Sequence, residues 1–245
     1  MTSFYRCVLV AHDYLFFTST GTRHTSMTNF IGNYALMYAI NTQVNKTHRN
    51  ASGTKPFYTE DLKRFSLYAT PAKPLVVSEV PLPFSTLKWN RWDRVSHTFN
   101  SVYTLLQTTD STRKPNLPQR KPNLPQIGSK EKFAPLDTFE FFVIGGAPPT
   151  LVRLGKKHAA CRIHSYPLSL VKESDGEFFV DHPVNPMDVS GFEQKIVRGD
   201  YQLQFPPLVL NAKLRAEHYV LKDDDGKNYY VLRPSGEIYQ SVSLP

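Results

Sequence analysis

One stretch of the chain, Asn29–Val44, sets its apolar residues at helical spacing (Phe30, Ile31, Tyr34, Ala35, Tyr38, Ala39), and the rest reads as strands and turns. Ser26 and Thr28 precede it as candidate caps. The chain opens as strand, polar basic loop and helix, and the expected class is α+β. The helix is approached from Phe4–Phe17 (FYRCVLVAHDYLFF), whose aromatic and β-branched residues predict a long first strand. Between the two lies a polar, basic loop, Thr18–Ser26 (TSTGTRHTS). His97–Thr108 and Leu136–Ile144 are predicted strands, the second apolar enough for a central sheet position.

Proline punctuates the chain beyond the helix. Thr47–Phe84, with Pro56, Pro71, Pro74, Pro81 and Pro83, reads as an insertion carrying short strand candidates. Arg113–Gln119 reads RKPNLPQ, and Arg120–Gln126 repeats it unchanged. Two prolines per repeat exclude a packed helix and predict an extended loop of polyproline character. Six basic residues and one acid lie between Arg113 and Lys132, so Arg113, Lys114, Arg120 and Lys121 are candidate phosphate contacts. The plainer alternative is a duplication tolerated in a surface loop. Insertions are thus expected at about 46–95 and 108–135.

After Gly145 and Gly146, a hairpin is predicted from Leu151–Leu154 and Ala159–His164 around the turn Gly155-Lys156-Lys157-His158. It gathers Arg153, Lys156, Lys157, His158 and Arg162 into a candidate phosphate clamp, the alternative being a charged solvent-facing turn. From Glu173 the chain is β-rich. Tyr219–Lys222 and Asn228–Leu232 flank DDDGK, where Asp225-Gly226 marks a hairpin turn rather than a calcium loop, which needs spaced ligands and a distal Glu. The expected organisation is a core over 1–172 and a β-rich extension over 173–245 packed on it.

Charge divides the same way. Up to Lys172 there are 22 basic and 9 acidic residues; beyond it there are 7 and 12, so +13 and −5 sum to the chain's +8. No Asp or Glu occurs from Tyr14 to Thr59 or from Phe141 to Lys172. Ordinary surfaces mix signs, so long acid-free stretches point to a polyanionic partner, nucleic acid above all. Tyr34, Tyr38, Phe57, Tyr58, Trp89, Trp92, Tyr103 and Tyr166 lie among the cations, as stacking on single-stranded bases requires, although each taken alone reads as core.

Several chemistries are excluded. Two cysteines, Cys7 and Cys161, without a CxxC, give neither a disulfide framework nor a thiolate zinc site, and fit a reducing compartment. Gly146–Lys157 lacks phosphate-loop spacing and has Lys157 where magnesium-binding Ser or Thr belongs. There is no GxSxG, no HExxH and no His pair at ligand spacing, and carboxylates are scarce where cations are dense, so neither a metal site nor any other cofactor is expected. Metal-independent RNA cleavage would need only a base, an acid and a cation, with His24, His158, Tyr166 and Lys156 as candidates. No basic leader and no apolar run of about 18 residues occurs, so a soluble cytoplasmic protein without a membrane partner is expected.

FYRCVLVAHDYLFFTS, the basic loop and FIGNYALMYAIN, with FEFFVIGGAPPTLVRLGKKHAACRI and HPVNPMDV further along, resemble the Cas-five family of the RAMP superfamily. The similarity is to its type I-D CRISPR member, which caps the 5′ end of guide RNA. The resemblance implies an RRM-like, ferredoxin-type core. It also implies binding of the crRNA 5′ handle and contacts with the repeating backbone subunit and the large subunit of the effector complex. Contact with target DNA beside its recognition motif is left open. Handle contacts would fall on Gly21–Ser26, with Arg23, His24, Thr25 and Ser26, and on the hairpin Arg153–Arg162. Guide processing is implied to belong to another subunit. Two features depart from the family pattern: no second helix of a βαββαβ order is legible, and the tandem RKPNLPQ is foreign to it. The expected function is therefore non-catalytic RNA binding for antiviral DNA targeting, with a crRNA-processing endoribonuclease and a purely structural assembly protein as rivals.

Overall fold

The computed structural model describes residues 2–17, 24–25, 29–44, 58–75, 94–101, 126–155, 158–202 and 206–235. Twelve strands are described: β1 Phe4–Ala11, β2 His24–Thr25, β3 Tyr68–Ala69, β4 Lys73–Pro74, β5 Arg94–Ser101, β6 Gln126–Phe133, β7 Thr138–Ile144, β8 Leu151–Leu154, β9 Ala159–Phe179, β10 Ile196–Gln202, β11 Leu208–Lys222 and β12 Asn228–Leu232. The α-helices are α1 Asn33–Val44 and two single turns, α2 Tyr58–Asp61 and α3 Phe192–Lys195. The fold is α+β, mostly antiparallel sheet. Nine strands form one sheet in the order β10-β11-β9-β1-β7-β3, with β12 on β11, β4 on β7 and β8 on β9. A second sheet runs β2-β6-β5, with β2 parallel to β6.

β1 ends at Ala11, short of the predicted Phe17, because the chain bends at His12–Asp13. Leu15 then bridges to Phe133 at the end of β6, tying the second sheet to the first. α1 begins at Asn33, later than its apolar spacing suggests. Ile31 is held extended by paired backbone bonds to Ala72 of 3.1 and 2.9 Å, which a helical residue cannot make. The candidate caps Ser26 and Thr28 lie outside the described residues. β7 is buried along its whole length between β1 and β3–β4, the central position its composition predicts. Residues 58–75, within the segment read as an insertion, add two short strands to that flank and bury Leu62, Phe65, Leu67 and Tyr68.

The central strands bury both faces. On one, Cys7, Leu9 and Ala11 align with Phe141, Phe139, Ile163 and Cys161 and share a core with Leu36, Met37 and Ile40 of α1. On the other, Phe4, Phe142 and Leu168 are covered by Tyr219 and Tyr229 of the β11–β12 hairpin; ring centroids lie 4.9 Å apart for Phe4–Tyr219 and 5.5 Å for Phe142–Tyr229. Such aromatic pairs add about 0.5–1.5 kcal/mol each beyond the area they bury. The hairpin reaches this face because β9 runs 21 residues without a break, pairing with β1 through Cys161–Leu168 and with β11 through Ser169–Phe179.

Polar groups caught in this packing are paired. Glu140 accepts from Arg6 and lies 3.3 Å from Lys73, whose ammonium also donates to the Asp181 carbonyl at 2.6 Å. Asp188, fully buried, accepts from Asn33 Nδ2 at 2.9 Å and from the Tyr68 hydroxyl at 2.7 Å, and Asn185 donates to Asn33 at 3.0 Å. This cluster pins the 185–188 turn to the start of α1 and to β3. Tyr68→Phe removes one donor from a buried carboxylate and is expected to cost about 1–3 kcal/mol, read as a lower denaturant midpoint at unchanged m-value.

His182 is buried with Nδ1 2.7 Å from the Pro183 carbonyl and Nε2 accepting from the Leu232 amide at 3.3 Å, which fixes the neutral ring. Burial pushes its pKa down to about 4. The unfolded chain therefore binds the extra proton first, and stability is lost as pH falls from the ordinary His value near 6.5 toward 4. The loss is on the order of 3 kcal/mol, and His182→Gln is expected to flatten it in denaturation midpoints compared between neutral and acid pH.

Candidate nucleic-acid interface

The β8–β9 hairpin closes on backbone conformations that local sequence supplies. Gly155 has φ +71° and lies so close to Phe16 that an added Cβ would meet its carbonyl oxygen at 2.6 Å. His158 has φ +52° and donates its amide to the Gly155 carbonyl at 3.1 Å. Leu154 pairs with Ala159, Arg153 with Ala160 and Leu151 with Arg162, in the predicted register. Val152, Leu154, Cys161 and Ile163 turn into the α1 core, so strand alternation turns Arg153 and Arg162 outward on one face. The Arg153 guanidinium donates to the His158 carbonyl at 3.1 Å.

The outward row continues along β9 through His164 and Tyr166, at steps of about 6.6–7 Å per two residues. His12, at the bend after β1, donates its amide to the Ala160 carbonyl at 2.9 Å. Its ring lies near enough to His164 to act on its charge. Burial first, then Arg162 and His12, push the His164 pKa below the ordinary value. His12, opposite Ala160, and His164, opposite Val8, thus flank Arg162 along β9.

Among the described residues no carboxylate pairs with these arginines. By contrast, Lys213 and Arg215 bind Glu177, the first at 2.8 Å, and Arg233 lies 3.2 Å from Glu173 and 3.4 Å from Glu217. The neighbouring acid is Asp13, which accepts from the Tyr14 amide at 2.7 Å. Its charge falls on the core-facing thiol of Cys161, which burial and then Asp13 push up to about 12. Desolvated cations leave few such donors idle, while exposed ones wait for anions in solution.

The remaining predicted RNA contacts are more scattered. His24 and Thr25 form β2, in register with Ser129 and Lys130 of β6. Arg23, Ser26, Arg113, Lys114, Arg120, Lys121, Lys156 and Lys157 lie outside the described residues, as do Phe57, Trp89, Trp92 and Tyr103. Of the remaining aromatic candidates, Tyr34 is core, and Tyr38 sets its ring edge-on to Phe65 at 5.0 Å with its hydroxyl bonded to Asp61 at 2.7 Å. Tyr166 stands outward, 37% exposed. His164 and His12, on either side of Arg162 in this row, are not among the residues singled out from the sequence. Alternation from Arg162 was the available signal for the first; the second is placed only by strand pairing.

Among the described residues no cluster of three or more His, Cys, Asp or Glu could hold a metal ion. The DDDGK segment is the predicted turn: Gly226 has φ +85°, and the Asp223 carboxylate accepts from the Lys227 amide at 2.8 Å and the Tyr229 hydroxyl at 3.0 Å. No helix among the described residues is long and apolar enough to cross a membrane.

Gly155→Ala tests whether the hairpin conformation matters. Positive φ and the Phe16 carbonyl together are expected to cost about 1–3 kcal/mol of stability. The loss is expected as a lower denaturant midpoint than that of the wild-type chain.

The family described as Type I-D CRISPR-associated protein Cas5/Csc1 matches residues 2–236, and the chain belongs to that family. No curated protein matches it.

Proposed function

We propose, with membership of the type I-D Cas5/Csc1 family as the premise, that the protein is a non-catalytic RNA-binding subunit of a type I-D CRISPR interference complex. In this reading it caps the 5′ handle of the crRNA and contacts the repeating backbone subunit and the large subunit. The observation that carries the reading is the outward face of β8 and β9, where Arg153 and Arg162 stand without a carboxylate partner among the described residues, at the root of a turn that also contains Lys156 and Lys157. Two guanidinium groups without a carboxylate partner among the described residues, one on each of two paired strands and that of Arg153 also held by the His158 carbonyl, suit neighbouring phosphates.

The sheet order supports an RRM-like, ferredoxin-type core. Taken in chain order, β1, β3, β7 and β9 lie as fourth-first-third-second, antiparallel throughout, with α1 in the first crossover. Where a second crossover helix would stand, the chain has β8. The part of the core thus altered is the cationic hairpin itself.

The test is charge reversal at Arg153, Lys156 and Lys157 to Glu in the purified full chain. Affinity for handle RNA is expected to fall at least tenfold at low salt. For every phosphate no longer neutralised, the slope of log affinity against log salt should shrink by about 0.7. Unchanged affinity and slope would overturn the reading. The RNA is expected to stay intact in EDTA, and a cut product that disappears on substituting one histidine would favour the endoribonuclease instead.

A further inference from the structure

Lysine ammonium groups lie against two exposed rings among the described residues, 5.8 Å from the Phe179 centroid for Lys213 and 5.6 Å from the Tyr14 centroid for Lys132. The charges around them differ. Glu177 already holds Lys213 at 2.8 Å and binds Arg215 as well, in the acidic half of β9, a surface that repels a polyanion. Among the described residues no carboxylate pairs with Lys132. Of the two pairs, Tyr14 and Lys132 form the one a nucleic-acid strand can approach.

Tyr14 is also held in place. Asp13 Oδ1 accepts from its amide at 2.7 Å, and the next residue, Leu15, exchanges both backbone hydrogen bonds with Phe133 at 3.1 and 2.9 Å. Leu15 and Phe133 are fully buried, and alternation along this extended stretch turns Tyr14 outward, 38% exposed, beside the end of β6. The hairpin turn adjoins the same segment, since Gly155 abuts Leu15 and the Phe16 carbonyl. From Lys132, β6 runs back to Lys130 and Ser129, which are in register with Thr25 and His24 of β2. The ring thus stands where the cationic hairpin and the second sheet meet.

We propose that Tyr14, with Lys132 against it, is a stacking seat for one unpaired base of a bound RNA strand. The inference rests on the RNA-binding reading and adds a base contact to the phosphate contacts of the hairpin. Every base has a π-face, so the seat takes any base rather than selecting one. A ring already oriented by a cation and by its own pinned backbone has little freedom left to lose when a base stacks on it. The neighbouring charges favour a base over a phosphate at this point. The Asp13 carboxylate beside the ring repels a phosphate, whereas a neutral base is not repelled.

The experiment measures affinity of the full chain for handle RNA by fluorescence anisotropy at several salt concentrations. Tyr14→Ala, and Tyr14→Leu, which keeps apolar bulk without a ring, are expected to lower affinity by about five- to a hundredfold. The slope of log affinity against log salt is expected to stay unchanged, because no phosphate contact is lost. Tyr14→Trp is expected to bind within about twofold of the wild-type chain. Removing bases from the RNA one position at a time, with the phosphates kept, is expected to weaken wild-type binding at one position that costs Tyr14→Ala nothing further, the mark of a direct contact. Folded Tyr14→Ala and Tyr14→Leu variants that bind as the wild type does would overturn the seat and leave the RNA-binding reading standing; so would base removal that costs both proteins the same at every position. Wild-type protein that binds no RNA would overturn the RNA-binding reading and the seat with it.

Discussion

Strand β9 is hydrogen-bonded to β1 along its first half and to β11 along its second, and the continuity of those backbone bonds decides what each face of the sheet can do. Strand twist accumulates over such a length, and the register break between Val220 and Leu221 of β11 adds to it. The β11–β12 hairpin is thereby carried over Phe4, Arg6 and Phe142. Charges on that covered patch had to be matched, which explains Arg6 and Lys73 around Glu140: burying the carboxylate alone would cost several kcal/mol.

At the other end of this face Val8 and Val10 of β1 are closed over by Leu75, and exposure is confined to β9 and β8. α1 occupies the opposite side of β1, β7 and β8, and the C-terminal hairpin takes the end of β1 near Phe4. Arg162 and Tyr166 of β9 and Arg153 of β8 are exposed there, with Ala160 and His164 half-buried between them. The contrast with the far half of β9 is chemical as well as geometric. There, Glu173 and Glu177 alternate on the exposed face and bind Arg233, Lys213 and Arg215. Lys213 and Arg215 hold the Glu177 pKa at about 2. One strand thus carries an electrostatically satisfied half and an unsatisfied half, and the change falls where the sequence changes charge sign.

Features fixed by near neighbours were legible in the sequence. The two hairpins arise from Gly155 and from Asp225-Gly226, whose conformations are set within the turn, and β7 announced its burial by composition. Features fixed by distant partners were not. β9 continues past Lys172 because β11, some forty residues on, offers it a ladder. Two-residue strands such as β3 and β4 are too short to show a period. Ile31 fits the helical pattern, yet a bridge to Ala72 holds it out of the helix. Tyr34 lies among cations in sequence and in the core in space. The outward placement of Arg153 and Arg162 was legible because alternation and a turn set it, whereas the position of His12 beside β9 follows only from the pairing of β1 with β9.

The same geometry argues for how a bound strand would be read. An open four-stranded sheet can stack bases on several central aromatics, but here Phe142, Tyr219 and Tyr229 pack against one another or their neighbours inside the fold. Of the described aromatics singled out for stacking, Tyr166 is the one turned to solvent at the site. Contacts available along β8 and β9 are then mostly to phosphate, a class that fixes position and path while tolerating base changes. On the proposed function this suits a protein that grips one end of a strand by its backbone. Such recognition would tolerate base substitution within the handle better than it tolerates added salt or missing phosphates.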